Sequence, residues 1–290
     1  MDDLREIRTV LAKPEPSPEV VARRRRQLHA AMSGRAPRRR ARLLLVPVAA
    51  AAVAAAVVVA VARPGGPPPA VTTARDVLLV AATTAERTPE GSGTYWHITV
   101  TVGSRPPSEY WYRRDGQFWI KGKGLKGEGK LFRFTTKSQP FIVGPLRMSF
   151  DELRGLPVDE DALYTRLRSA IADGDVRTSA GAPSESDLDG FTVETLVSLV
   201  SEAPVSPQVR AAAYRALASR PGVTDLGETD DGRRLRIPMH GGDREVVVDP
   251  ETARVRNTPV WAPLTGGLAF TTTGEGATID AEWTDELPAE

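Results

Sequence analysis

The chain has 290 residues, 41% of them hydrophobic, with 38 Lys and Arg against 37 Asp and Glu and no cysteine. The missing cysteines exclude disulfides, cysteine-based zinc sites and a lipid-anchored lipoprotein start. A formal net charge of +1 gives no reason to expect nucleic-acid binding outside the basic N-terminal stretch.

In chain order, residues 1–12 place Leu4, Ile7 and Leu11 on one helical face, with Asp2 and Asp3 suited to a helix N-terminus. The segment 13–18 (KPEPSP) breaks the chain. Ser17 caps a second expected helix with Pro18 at its first position, running to about Met32 with Val21, Leu28 and Met32 along one side and Arg23–Arg26 around the rest. Residues 43–62 (LLLVPVAAAAVAAAVVVAVA) then carry no charge and no side-chain polar group. At about 1.5 Å per residue, a helix of that length covers about 30 Å, the hydrocarbon thickness of a bilayer. Residues 1–42 hold 12 positive and 5 negative residues, net +7, which leaves −6 for 63–290. Positive charge resists translocation, so the expected topology is a single-pass span with a cytoplasmic tail and an extracytoplasmic acidic part. A cleaved signal peptide is a rival, since Ala60-Val61-Ala62 resembles a cleavage site, but the leader and its apolar core are both long for one. A buried soluble helix is another, but it would normally show a polar stripe. Residues 63–72, beginning RPGGPPPA, read as a stiff linker.

The remainder, 73–284, is expected to be one α+β domain, with 285–290 as a tail. A helix is predicted over 73–87, with Ala74, Val77, Leu78, Ala81, Ala82 and Ala85 on its apolar face. Alternation around Trp96, Ile98, Val100 and Val102 predicts an antiparallel strand. Strands 109–113 and 117–121 flank the turn Arg114-Asp115-Gly116, and further strands are expected at 130–136 and 141–143. Helices follow at 157–173, 187–202 and 207–219, with acidic residues opening the first of these and arginines later in it, a match to the helix dipole. Strands return at 223–229, 235–239, 245–249, 255–257, 268–272 and 277–283. Strand, helix and strand groups in that order predict an antiparallel sheet covered by helices.

Chemistry-bearing candidates are sparse. Residues 124–130 match the spacing of a phosphate loop, but Leu131 replaces the Mg²⁺-binding hydroxyl and the flanks read as strands, so a basic hairpin loop is the better reading. His29, His97 and His240 lack neighbouring ligand residues, so no metal site is expected. The carboxylates at 159–161, 173/175 and 230–231 fit a helix start, a helix-end loop and a turn. No G-x-S-x-G occurs. No catalytic residue, metal or cofactor is therefore expected, and the chain reads as a non-enzyme. Eleven of the 17 aromatics fall between Tyr95 and Phe150, which puts rings on both faces of adjacent strands. One face serves as core; the other gives a candidate groove for an apolar ligand at Tyr95, Tyr110, Trp111, Tyr112 and Trp119. In the tail, Leu4, Ile7, Leu11, Val21, Leu28 and Met32 form a candidate face for a cytoplasmic partner.

Several segments together resemble a family of actinobacterial single-pass membrane proteins of unassigned function: 2–12, 17–32, the Ala-rich span, Tyr95-Trp96, 109–113, 156–168 (LPVDEDALYTRLR), 209–223 (VRAAAYRALASRPGV) and 249–255 (DPETARV). Members are often encoded beside extracytoplasmic-function sigma factors, which implies an anti-sigma-like or signal-transducing role with residues 1–32 as the contact for a sigma factor. The outer domain is similar in pattern to the half-barrel of lipoprotein carriers and envelope-stress regulators, a curved sheet covered by helices. Zinc-binding anti-sigma factors carry a His and two Cys in their cytoplasmic domain; here His29 stands without cysteine, and no residue roles are transferred. The resulting expectation is a membrane-anchored sensor or regulator whose outer domain binds a ligand or an envelope protein. The alternative is a membrane-anchored carrier for a lipid or other apolar ligand. An exported hydrolase ranks third and would need a buried carboxylate or a Ser–His pair.

Overall fold

A computed structural model describes residues 73–134, 141–271 and 275–288. The expected tail helices, the span 43–62 and the linker 63–72 lie outside these residues. The chain divides into two units, 1–66 and 67–290, and everything described belongs to the second. No described helix is long and apolar enough to cross a membrane.

Helix α1 (Ala74–Arg87) begins where the Thr73 side chain accepts the Asp76 N–H at 3.2 Å and ends at Thr88 in extended backbone, just before Pro89. The six predicted apolar residues are all buried. Strands β1 (Tyr95–Val102), β2 (Ser108–Arg113), β3 (Phe118–Lys121), β4 (Phe132–Arg133) and β13 (Ala277–Thr284) form an antiparallel sheet in the order β13-β1-β2-β3-β4. The predicted strand at 130–136 shortens to β4 among the described residues. Next come a small hairpin, β5 (Phe141–Val143) and β6 (Leu146–Met148), and a five-residue helix α2 (Phe150–Arg154). Neither β6 nor α2 was expected. Helix α2 stands on a capping box in which Ser149 and Glu152 bond each other's backbone N–H.

Helix α3 (Glu160–Asp173) starts at an Asp159 cap; its last turn carries no basic residue, so the expected pairing of late arginines with the helix dipole is corrected. Helix α4 (Glu185–Ser201) begins two residues earlier than predicted, because Ser184 and Asp187 form a second capping box. From Thr192 to Ser201 every residue of α4 is buried, so this helix is the centre of the core rather than a surface cover. Its polar side chains tolerate that position because Thr192, Thr195 and Ser201 donate to the carbonyls four residues back, while Ser198 reaches Ala262 O at 3.2 Å. Gly190 lets α4 cross the turn at His240 closely: a Cβ there would sit 2.7 Å from His240 N. Helix α5 (Pro207–Ala218) is capped by Ser206, with Pro207 in its first turn, and packs on α1 through alanine-rich faces.

A second antiparallel sheet, β10-β9-β8-β7, is built from β7 (Thr224–Thr229), β8 (Gly232–Met239), β9 (Gly242–Asp249) and β10 (Arg254–Val255). Leu235, Ile237, Val246, Val248 and Val255 turn into the core. Two ties join the sheets beside β13: the isolated antiparallel bridge Thr258↔Ala277, and Asp280, which receives Arg254 at 3.2 Å and Arg256 at 2.9 Å. The short pair β11 (Val260–Trp261) and β12 (Ala269–Phe270) lies near α4 and β9. The domain is therefore α+β, with antiparallel sheets and helices, as the order of predicted elements implies.

Candidate functional site

The five aromatics expected to line one groove divide between two faces. The registers Trp96↔Tyr112, Ile98↔Tyr110 and Tyr112↔Phe118 put Tyr110 and Tyr112 on the core face, and His97↔Trp111 and Trp111↔Trp119 put Tyr95, Trp111 and Trp119 on the other. The second face is filled from within. Trp111 and Trp119 are 2% and 5% exposed and cluster with Leu131, Tyr95 and Leu287. The His97 ring stacks on Trp111 at 4.5 Å with its Nε2 3.2 Å from Glu109, and the guanidinium groups of Arg113 and Arg133 lie over Trp119 at 6.0 and 5.8 Å. The proposed partner face, Leu4 to Met32, lies outside the described residues.

An open site occurs instead where α1, β1, β13 and α5 meet. A cleft of about 230 Å³ is lined by Ala85, Trp96, Val205, Arg210, Ala281 and Trp283, with Glu90, Gly91, Arg254 and Glu282 also on its wall. The strand register pairs Trp96 with Trp283, whose rings meet edge to face at 5.3 Å. Behind Trp283 stand Phe150, edge-on at 5.5 Å, and the Arg114 guanidinium at 4.8 Å from the ring. Trp96 is fixed by its indole N–H, which donates to the main-chain carbonyl of Glu202 at 2.6 Å.

The charges of the cleft differ in their partners. Arg254 pairs with Asp280 and Glu90 pairs with Arg154 at 3.0 Å. Glu282 is exposed to water. Arg210 is half-buried, donates to Ala203 O at 3.0 Å, lies 6.0 Å from the Trp96 ring centre and leaves its buried Nε without a partner. Among the described residues no carboxylate forms an ion pair with it. Burial pulls its guanidinium below the ordinary value, opposed by Tyr214 and reinforced by repulsion from Arg254. An arginine stays charged in a protein, so this cation is partly desolvated, with a buried Nε, and has no carboxylate counterion among the described residues.

On the core side of the same α4–α5 connection sits Glu202, 3% exposed. One carboxyl oxygen accepts the Leu264 N–H at 3.0 Å; the other meets no hydrogen-bond partner within bonding geometry among the described residues. Burial pushes its pKa up to about 8, opposed by the Leu264 bond and the Trp261 side chain. Its charge in turn raises the phenols of Tyr110 and Tyr112, which burial already raises. A second buried acid, Glu194 on α4, is raised by burial and partly relieved by Arg244. The buried carboxylate that a hydrolase would need is thus present, and the groups that act on it are the Leu264 amide and the Trp261 indole. Among the described residues no group of three potential metal ligands forms. The loop 122–130 joins β3 to β4, two antiparallel strands, so no helix N-terminus faces its glycines.

Sequence reasoning missed Arg210, Trp283 and Glu202. Glu202 had a signal: it is the one charge in the run 195–205 (TLVSLVSEAPV), and a lone charge in such a run is either a break or a buried group. Arg210 and Trp283 had none, because the cleft depends on a pairing between residues 96 and 283.

No protein-family model matches the chain, and no curated protein does. A solved structure that does match is that of a LolA superfamily protein from Nitrosomonas europaea, at 11% identity over 75% of this chain and 96% of that one, with a TM-score of 0.21. So loose a superposition carries no argument about fold or ligand.

Proposed function

We propose that residues 73–288 form a non-enzymatic ligand-binding domain whose ligand site is the cleft between Trp96, Trp283 and Arg210, and that the apolar segment 43–62 tethers it outside a membrane. One observation supports the reading: an open cleft holds two indole rings and a partly desolvated arginine that has no carboxylate counterion among the described residues. A cation left in that state costs free energy that a bound partner would recover. The two sheets are read as halves of one curved, half-barrel-like layer, supported by the ties of Asp280 and Thr258 across β10 and β13. The −6 charge of 63–290 against +7 for the tail supports the topology. Glu202 is read as a structural acid, because it is sealed from solvent and held by the Leu264 amide.

Gly91 offers a clean test. It lines the cleft, and a Cβ there would meet Trp283 at 3.5 Å, an ordinary contact. Full-length protein purified from native membranes should carry a co-purifying small molecule visible by native mass spectrometry, and Gly91→Leu should lose it while keeping its circular dichroism. Equal ligand load in the two proteins would place the site elsewhere. Deleting residues 1–32 separates a carrier from a sensor. A carrier keeps its ligand and loses nothing else, whereas a sensor loses a cytoplasmic partner, such as a sigma factor, in pull-downs from solubilised membranes.

A further inference from the structure

Resting on that cleft as the ligand site, we infer that its ligand is an amphiphile bearing one anionic headgroup, a phosphate or a carboxylate, which pairs with Arg210 while its apolar body lies on Trp96 and Trp283. The sign follows from which charge is buried. Glu90 and Arg254 have partners within the protein, and Glu282 is solvated at the surface. Arg210 alone among the lining charges combines a buried, unpartnered donor with no ion pair among the described residues. An exposed unpaired charge is solvated by water; a desolvated one seeks a counterion. A guanidinium also presents a planar fork that fits the two oxygens of a carboxylate or phosphate. The adjoining start of α5 adds the same sign, since its first turn carries no acidic residue and Pro207 is part of the cleft wall. The rest of the lining selects for the body of the ligand. Ala85, Val205, Ala281 and the two indoles form an apolar wall, and a small inorganic anion would leave that wall wet.

The test uses full-length protein in uncharged dodecyl maltoside micelles and isothermal titration calorimetry with three probes: hexyl phosphate, hexanol and inorganic phosphate. Hexyl phosphate should bind at least about tenfold more tightly than either of the others, the loss expected for one charge-assisted hydrogen bond. Arg210→Gln, which keeps a donor for Ala203 O, should weaken hexyl phosphate by at least about tenfold and leave hexanol unchanged. If Arg210→Gln fails to fold, the comparison of the three probes on the unmodified chain still decides the matter. Hexanol binding as tightly as hexyl phosphate overturns the anionic headgroup and leaves the cleft as a ligand site. Inorganic phosphate binding as tightly overturns the amphiphile. Failure of all three to bind overturns the cleft itself. Repeating the titration in nanodiscs containing phosphatidic acid separates two sources of the same chemistry: competition assigns a lipid, and its absence assigns a water-soluble organic anion.

Discussion

Glu202 and Arg210 stand on the two sides of one connection between α4 and α5, and each buries a polar atom without a partner. Their surroundings resolve the problem differently. Glu202 is walled in by the core and can shed its charge: burial raises its pKa to about 8, so at neutral pH the carboxyl is mostly protonated. Arg210 cannot shed its charge, but it lines an opening to solvent. The first is a closed account between a side chain and the fold; the second is completed only from outside. Two groups that each bury one unpartnered polar atom are therefore read in opposite ways, and access to solvent is what separates them.

Breaking the element they share should have the largest effect. Trp96 forms the wall between the two sides, with its N–H on Glu202 O and its ring against Trp283 and Arg210. Trp96→Ala should destabilise the fold by about 3–5 kcal/mol in urea unfolding of the full chain and abolish ligand binding with it.

Glu202→Gln sharpens the closed side. The folded pKa of about 8 lies above the ordinary 4.5, so the folded state holds the proton more tightly than the unfolded chain. The associated stability is complete below about pH 4.5, and it is lost as pH rises toward about 8. At about 1.4 kcal/mol per pH unit the loss by neutral pH is on the order of 3 kcal/mol. Thermal unfolding should show the glutamine variant gaining on the parent chain between pH 5 and pH 8 and matching it near pH 4. Parallel curves across that range would show that Glu202 is solvated.

The smallest effect tests how far the comparison reaches. Ser184→Ala removes the cap of α4, far from either group in the chain, and should cost about 1 kcal/mol of stability with no change in ligand affinity. A loss of affinity there would mean that the cleft depends on the whole of α4 rather than on its connection to α5.

The sequence reading reached the elements better than the site, for a physical reason. Helices α1 and α5 were bounded within a residue because caps and periodicity are local: Thr73 and Ser206 lie beside the apolar positions they serve. Helix α2 was missed although Ser149 and Glu152 have capping-box spacing, because five residues show no periodicity. The aromatic cluster was visible, but its division between two faces needed the strand registers, and the closure of Trp111 and Trp119 needed Leu131 and Leu287 from distant loops. Among Arg210, Arg215 and Arg220, spaced five apart, nothing local says that Arg215 meets Glu86 while Arg210 meets no carboxylate among the described residues. That difference is long-range, and the function proposed here rests on it.

Ligand is proposed to enter the cleft of Trp96 and Trp283 and not the filled outer face of Trp111 and Trp119. The most direct measurement is ¹⁹F NMR of the full-length protein carrying fluorotryptophan, with each of the five resonances assigned by a single Trp→Phe substitution, during titration with hexyl phosphate. Trp96 and Trp283 should show saturable shifts, with Trp111 and Trp119 unmoved. Shifts confined to Trp111 and Trp119, or none at the two cleft residues, would contradict the cleft as the ligand site.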